Sequence, residues 1–288
     1  MEKMELLAPV GSSEALQAAV QNGADAVYFG GEIFNARQYA DNFSIDDIRQ
    51  RVRYAHLYGV KVYMTVNTLV SNEEMPELIE YIYRLYNSDV DALIVQDLGV
   101  AYLIKSFFPA MVVHASTQMT IHNSLGVHFL KSMGISRVVL AREVSFENIE
   151  SIGEKTTLEL ETFVHGALCV SYSGQCLMSS MIGGRSGNRG RCAQPCRLTY
   201  TLVDEKGIEI KSEGQHLLSP RDLKMIDHIP LLDKAKITSL KVEGRMKRPE
   251  YVATVIRNYR KAIDEYYENP DDYKVGEVTH KELAQVFN

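Results

Sequence analysis

The sequence predicts an α/β fold: a (β/α)8 TIM-like barrel with a long cysteine-bearing insertion and a hairpin between strands 7 and 8. Three observations predict it. Eight short apolar runs alternate with helix-like segments. The 288 residues exceed the roughly 250 such a barrel takes, leaving room for an insertion. The one long interruption falls after the seventh run.

The runs come in this order. Leu6-Leu7-Ala8-Pro9 precedes a helical pattern at 13–20. Ala26-Val27-Tyr28-Phe29 precedes a second helix at 45–58. A third strand, 60–66, precedes a third helix, 74–86. Ala92-Leu93-Ile94-Val95, Val112-Val113-His114-Ala115 and Val138-Val139-Leu140-Ala141 continue the series, and 158–164 is the seventh. Ser239-Leu240-Lys241-Val242 is the eighth, before a long amphipathic helix at 249–267. Short buried strands between helices indicate parallel βαβ units. Phrases such as Gly23-Ala24-Asp25, Val90-Asp91-Ala92 and Gly134-Ile135-Ser136 stop a helix before several of the strands. A doubly wound open sheet is the alternative that pattern alone leaves open. One barrel domain over 1–288 is expected, with the insertion at about 165–236. Within it, 198–204 and 207–211 read as a hairpin turning at Glu205-Lys206-Gly207. Insertions this long tend to be functional, and this one leaves the C-terminal rim, where barrel active sites sit.

Composition narrows the function class. At 45% hydrophobic and 24% charged residues the chain is an ordinary globular one. No stretch approaches the roughly 18 apolar residues of a membrane span, and the N-terminus lacks a signal-peptide core. These readings place the protein in the cytoplasm, away from membranes. The net charge of −6 argues against binding nucleic acid over the whole surface, and leaves room for a local basic patch.

All four cysteines, Cys169, Cys176, Cys192 and Cys196, lie in the insertion, spaced C-x6-C-x15-C-x3-C. In a reducing cytosol such a set reads as ligands before disulfides. Thiolates suit iron–sulfur clusters and zinc. Zinc sites favour tighter paired spacings, so the irregular spacing leans to a cluster. Four unrelated core cysteines and a redox pair, Cys192 with Cys196, are the other readings.

Residues 161–179 and 187–197, which hold these cysteines, closely resemble the two cysteine blocks of the U32 collagenase-like peptidase family. The phrases Glu5-Leu6-Leu7-Ala8-Pro9-Val10-Gly11, His114-Ala115-Ser116-Thr117-Gln118 and Leu240-Lys241-Val242-Glu243-Gly244-Arg245 fit as well. The resemblance covers nearly the whole chain. It implies a barrel with an added loop region, a [4Fe-4S] cluster on the four cysteines, and oxygen-independent or prephenate-dependent hydroxylation of RNA or ubiquinone precursors. Within the family the chain looks most like the branch that hydroxylates the wobble uridine of tRNA. That branch implies tRNA and a prephenate-like molecule as partners, and a further C-terminal domain absent from this chain. A protein partner for a metal-stabilised, non-catalytic scaffold is a third reading.

The peptidase label finds little machinery. There is no His-Glu-x-x-His, and Gly184-Arg185-Ser186-Gly187-Asn188 misses the nucleophile-elbow pattern. A His165–Cys169 pair is conceivable, but a cysteine tied to a cluster is not a nucleophile. Hydroxylase chemistry finds polar residues at expected strand ends: Asn67, Gln96, Asp97, His114, Gln118, Arg142, Glu143, His165, Glu243 and Arg245. Of these, His114, His165 and Glu243 are the catalytic candidates. Arg142, Arg185 and Arg245 are candidates to grip a dicarboxylate, with Asn67 and Gln118 beside them; a salt bridge to a neighbouring carboxylate is the plainer role for each arginine. Arg185, Arg189, Arg191 and Arg197, with Arg245, Lys247 and Arg248, would give one basic rim for RNA phosphates, or would neutralise thiolate charge. Tyr172, Tyr28 and Phe29 are candidate stacking partners for a base, although aromatics are more often core. The remaining histidines (56, 122, 128, 216, 228 and 280) show no metal-like spacing.

Overall fold

The computed structural model describes residues 3–38 and 42–286. Met1, Glu2, Phe287 and Asn288, which belong to the terminal readings above, lie outside the described residues. Eight parallel strands close on themselves: β1 (Glu5–Pro9), β2 (Ala26–Gly30), β3 (Lys61–Val66), β4 (Ala92–Val95), β5 (Val113–Ala115), β6 (Arg137–Val139), β7 (Glu159–Gly166) and β9 (Ser239–Val242). Each pairs with the next, β6 pairs with β7, and β9 lies between β7 and β1. The barrel is therefore shut, and the open-sheet alternative falls. A two-residue strand, β8 (Leu223–Lys224), runs antiparallel to the end of β7.

Helices α1 (Ser13–Gln21), α2 (Ile45–Leu57), α3 (Met75–Tyr86), α4 (Leu98–Phe107), α5 (Ser124–Ser132) and α6 (Phe146–Glu154) follow the first six strands. Many begin on a side-chain cap that satisfies an orphan amide: Ser12 accepts from Ala15, Ser44 from Asp47, Asn123 from Gly126 and Ser145 from Asn148. Asp97 is the cap of α4, accepting from Gly99 and Val100, so it serves structure rather than the mouth. The insertion carries α7 (Met178–Gly183). After it come α8 (Ile229–Lys234), the 20-residue α9 (Pro249–Glu268) and α10 (Glu277–Gln285). No described helix is long and apolar enough to cross a membrane.

Strand alternation divides the core. Outward residues such as Leu6, Phe29, Met64, Leu93, Val113 and Val242 pack against the helices. Inward residues Leu7, Ala26, Tyr28, Tyr63, Ala92 and Ile94 fill the barrel. Phe29 is fully buried on the outer side, which removes it as a base-stacking candidate. The lower interior is charged. Arg137 pairs with Glu5 at 2.5 Å and with Glu161 at 3.3 Å, and Lys241 pairs with Glu161 at 2.7 Å. Tyr63 and Ser239 both donate to Glu5. Every ion in this layer has a partner of opposite sign, the condition under which burial of charge is tolerated.

The expected hairpin is present but short: Asp204 N donates to the Ile208 carbonyl and Ile210 N to that of Leu202. Val203 and Glu209 form a single antiparallel bridge. Asp204 accepts from the Lys206 and Ile208 amides, and Gly207 takes a left-handed conformation at φ 78°. The flanking Leu202, Val203, Ile208 and Ile210 are exposed, so no packing extends the pairing.

Candidate active site at the barrel mouth

The insertion folds back across the C-terminal rim and is fastened to loops on both sides. On one side Gly190 accepts from the Gln38 amide, Asn188 from the Leu69 amide, and Arg189 donates to the Leu69 carbonyl and forms a forked pair with Glu74. Its guanidinium holds the Glu74 carboxyl down to about 2. On the other side the buried Ser173 accepts from the Arg142 amide and Nε, and donates from N and Oγ to Glu143. Thr120 donates to the Ser173 carbonyl. Two glycines allow these approaches. Gly174 and Gly190 both have positive φ, and a Cβ on either would drive into a backbone carbonyl, that of Gln118 or Asn35. Arg197 ties the two ends of the insertion together, donating to Ser219, Pro220 and the Leu168 carbonyl.

The four cysteines are free thiols. Burial, and then the negative charge of the other three cysteines opposed by Arg197, pushes the Cys196 thiol up, so the four form one electrostatic neighbourhood. Among the described residues no three His, Cys, Asp or Glu side chains are arranged to grip a single metal ion. The donor set nonetheless has the chemistry of thiolate ligation: four sulfurs, no disulfide, and a stretch from 162 to 203 with four arginines and no carboxylate. Cys192 adjoins the mouth, because its neighbours Gly190 and Arg191 bond Gln38, the residue after Arg37.

Inside the mouth, Glu243 pairs with Arg37 at 3.2 Å. Burial pushes the Glu243 carboxyl up, but Arg37, Arg245 and Arg142 together hold it below its ordinary value, so it is a carboxylate at neutral pH. Arg245 is 5% exposed and donates from Nη1 to Thr65 Oγ1 at 3.0 Å; its Nε has no partner among the described residues. Its guanidinium carbon stands 5.7 Å from the centroid of Tyr28. Burial, and then Arg37, lowers Arg245 to about 10. Asn67 accepts from the Ala36 amide and so positions the loop that carries Arg37. The side-chain oxygens of Gln96 and Gln118 are buried without partners among the described residues.

Several candidates stand elsewhere than expected. His114 is below the mouth, inside the barrel, with its ring edge-on to Tyr63 at 4.8 Å. Burial, and then Arg137, drives it well below its ordinary value, so it is neutral and out of reach of the rim. His165 faces the other way. A bulge between Phe163 and His165 breaks the alternation, and the ring packs against Tyr251 and Tyr259 of α9. Burial, and then Lys224 and Lys247, lowers it to about 4. A His165–Cys169 dyad is therefore not assembled. Arg142 is committed to Ser173, and Arg185 donates to the Arg191 carbonyl. Arg245 is buried in the mouth and is not part of a solvent-facing basic rim. Tyr28 lies inside the barrel, whereas Tyr172 is exposed. Arg37 is the residue that sequence reading missed: it sits in an aperiodic loop, and only the Gly30-Gly31 pair after a strand marks that loop.

Comparison with known proteins agrees with this architecture. The chain is 41% identical to tRNA hydroxylation protein P1 of Bacillus subtilis, over all of this chain and 69% of that one. It is 42% identical to 23S rRNA 5-hydroxycytidine C2501 synthase of Escherichia coli, over 94% of this chain and 41% of that one. It is 37% identical to a protein named collagenase in Porphyromonas gingivalis, over 99% of this chain and 71% of that one. The solved structure of the U32 peptidase Mk0906 superposes with a TM-score of 0.58 at 13% identity, covering 85% of this chain and 95% of that one, which speaks to the fold. The model of peptidase family U32 matches residues 11–288, and the chain belongs to that family.

Proposed function

We propose that the protein is an iron–sulfur-dependent RNA-modifying enzyme that hydroxylates a tRNA base, the wobble uridine, with a prephenate-like donor in the barrel mouth. The observation that carries this reading is four free thiols on the insertion over a mouth whose buried guanidinium, Arg245, bonds Thr65 and leaves its Nε without a partner among the described residues. The names of relatives at 41% and 42% identity supply the reaction class. Cys169, Cys176, Cys192 and Cys196 would hold the cluster. When bound it supplies one-electron chemistry or a Lewis-acidic iron. The chain's own residues do the rest. Arg245 meets a carboxylate of the donor. Glu243, kept ionised by Arg37, is placed to take a proton. Arg185 and Arg191, exposed on the carboxylate-free stretch 162–203 of the insertion, meet RNA phosphates.

Two measurements test this. Protein purified without oxygen should be brown, and Cys192→Ala should remove the colour and the activity together; colourless protein carrying stoichiometric zinc sinks the cluster. Nucleoside mass spectrometry of tRNA from a deletion strain should show loss of a hydroxylated uridine; an unchanged profile rejects the RNA assignment.

A further inference from the structure

Residues 200–212 leave the insertion as a hairpin whose apolar side chains stay exposed. Asp204 N donates to the Ile208 carbonyl and Ile210 N to that of Leu202, with Glu205-Lys206-Gly207 as the turn. This register, fixed by the Val203–Glu209 bridge, sets Leu202 opposite Ile210. Side chains alternate across a strand, so Leu202, Ile208 and Ile210 share one face, and Val203, Glu209 and Lys211 the other. Leu202 is 48% exposed, Ile208 61% and Ile210 45%. A lone two-stranded hairpin is marginal in water, and further strands are what make such a face stable. The backbone shows where they would go. The amides of Ile208 and Ile210 turn inward, to Asp204 Oδ1 and the Leu202 carbonyl. The N–H and C=O groups of Glu209 and Lys211 have no partner among the described residues; by alternation they face outward along a free edge.

The charges on that edge select what pairs with it. We propose that the edge 208–212 pairs antiparallel with the same edge of a second copy of this chain, about a twofold axis at Ile210. Glu209 then lies opposite Lys211 of the second copy, and Lys211 opposite its Glu209, each pair exchanging two N–H···O=C bonds. Ile210 meets Ile210 of the second copy in the non-hydrogen-bonded position, where side chains stand closest. Leu202 and Ile210 of both copies thus form one apolar row across four strands. The neighbouring registers set Glu209 on Glu209 or Lys211 on Lys211, and like charges directly opposite repel. The other edge of the hairpin has Thr201 and Val203 in its outward positions, with no charge to fix a register. The pairing depends on neither RNA, the cluster nor the barrel mouth.

Sedimentation velocity of the full chain over a range of protein concentrations tests this, with circular dichroism and the melting temperature to show that each variant keeps its fold. The unaltered protein should pass from monomer to dimer as concentration rises. Glu209→Lys and Lys211→Glu each put like charges into both symmetric pairs, and each should weaken the dimer about tenfold or more. The double variant Glu209→Lys/Lys211→Glu restores opposite charges in both pairs and should recover the unaltered affinity. Glu209→Pro removes an outward N–H without touching the hairpin's own bonds, and should abolish the dimer. A monomer at every concentration overturns the proposal and leaves the edge to a strand of another protein. A dimer that Glu209→Pro leaves intact lies on another surface and overturns it as well. A double variant no tighter than the single ones overturns the antiparallel pairing about Ile210.

Discussion

The two ends of one barrel treat charge in opposite ways. At the base, Arg137 and Lys241 are matched by Glu5 and Glu161, and the surrounding hydroxyls of Tyr63 and Ser239 are used. At the mouth, the Nε of Arg245 and the side-chain oxygens of Gln96 and Gln118 have no partner among the described residues. Groups that are satisfied by the protein hold the barrel together. Groups that are left unsatisfied are available to something else. The difference follows the division of labour in barrels, where the N-terminal end carries stability and the C-terminal end chemistry.

The contrast can be broken by substitution. The largest effect is expected at the base. Arg137→Met leaves Glu5 buried without an ion-pair partner among the described residues and Glu161 with Lys241 alone, and should cost about 3–5 kcal/mol in urea unfolding; a loss under 1 kcal/mol would show that the layer does not staple the barrel.

Next comes His165. Its folded value of about 4 lies below the ordinary 6.5, so the unfolded chain binds the proton more readily. The stability is fully present above about pH 6.5 and is lost as pH falls through 6.5 toward 4, by a few kcal/mol, about 3 at the limit. His165→Gln should flatten that stretch of the stability–pH curve. An unchanged curve would place the acid sensitivity in another group.

A smaller, local effect is expected at Gly190. Gly190→Ala meets the Asn35 carbonyl and a left-handed backbone, which should cost about 1–3 kcal/mol of docking. Hydrogen exchange should rise in 187–191 while barrel strands keep their protection. The smallest change is expected at the mouth: Arg245→Met should leave the midpoint temperature unchanged or raise it slightly, the reverse of Arg137→Met. A large drop would mean that Arg245 is structural after all.

The barrel was legible because its signal is local: eight apolar runs of strand length set between helix-like segments. The position of the insertion was legible for the same reason. The direction in which side chains point was not always so. Alternation from Glu161 through Phe163 sends His165 inward, and one bulged residue turns it out to α9. His114 was read as a rim residue, but β5 is only three residues long and His114 is its middle. Arg37 left no periodic trace, since its partner Glu243 is 206 residues away. The cysteines could be read from spacing. That Gly174, Gly190 and Ser173 dock their loop could not, because the surfaces they meet come from residues 35–38, 69–74, 117–120 and 142–143.

Those anchors also set an order of events. Every loop that receives the insertion belongs to an earlier part of the chain, whereas the strand that shuts the barrel, β9, is synthesised after it. Contacts across such long separations form late, once the loop-closure entropy has been spent on the barrel itself. The insertion's shape thus depends on the rim that receives it, and the four thiols are held in place by loops from four separate parts of the chain.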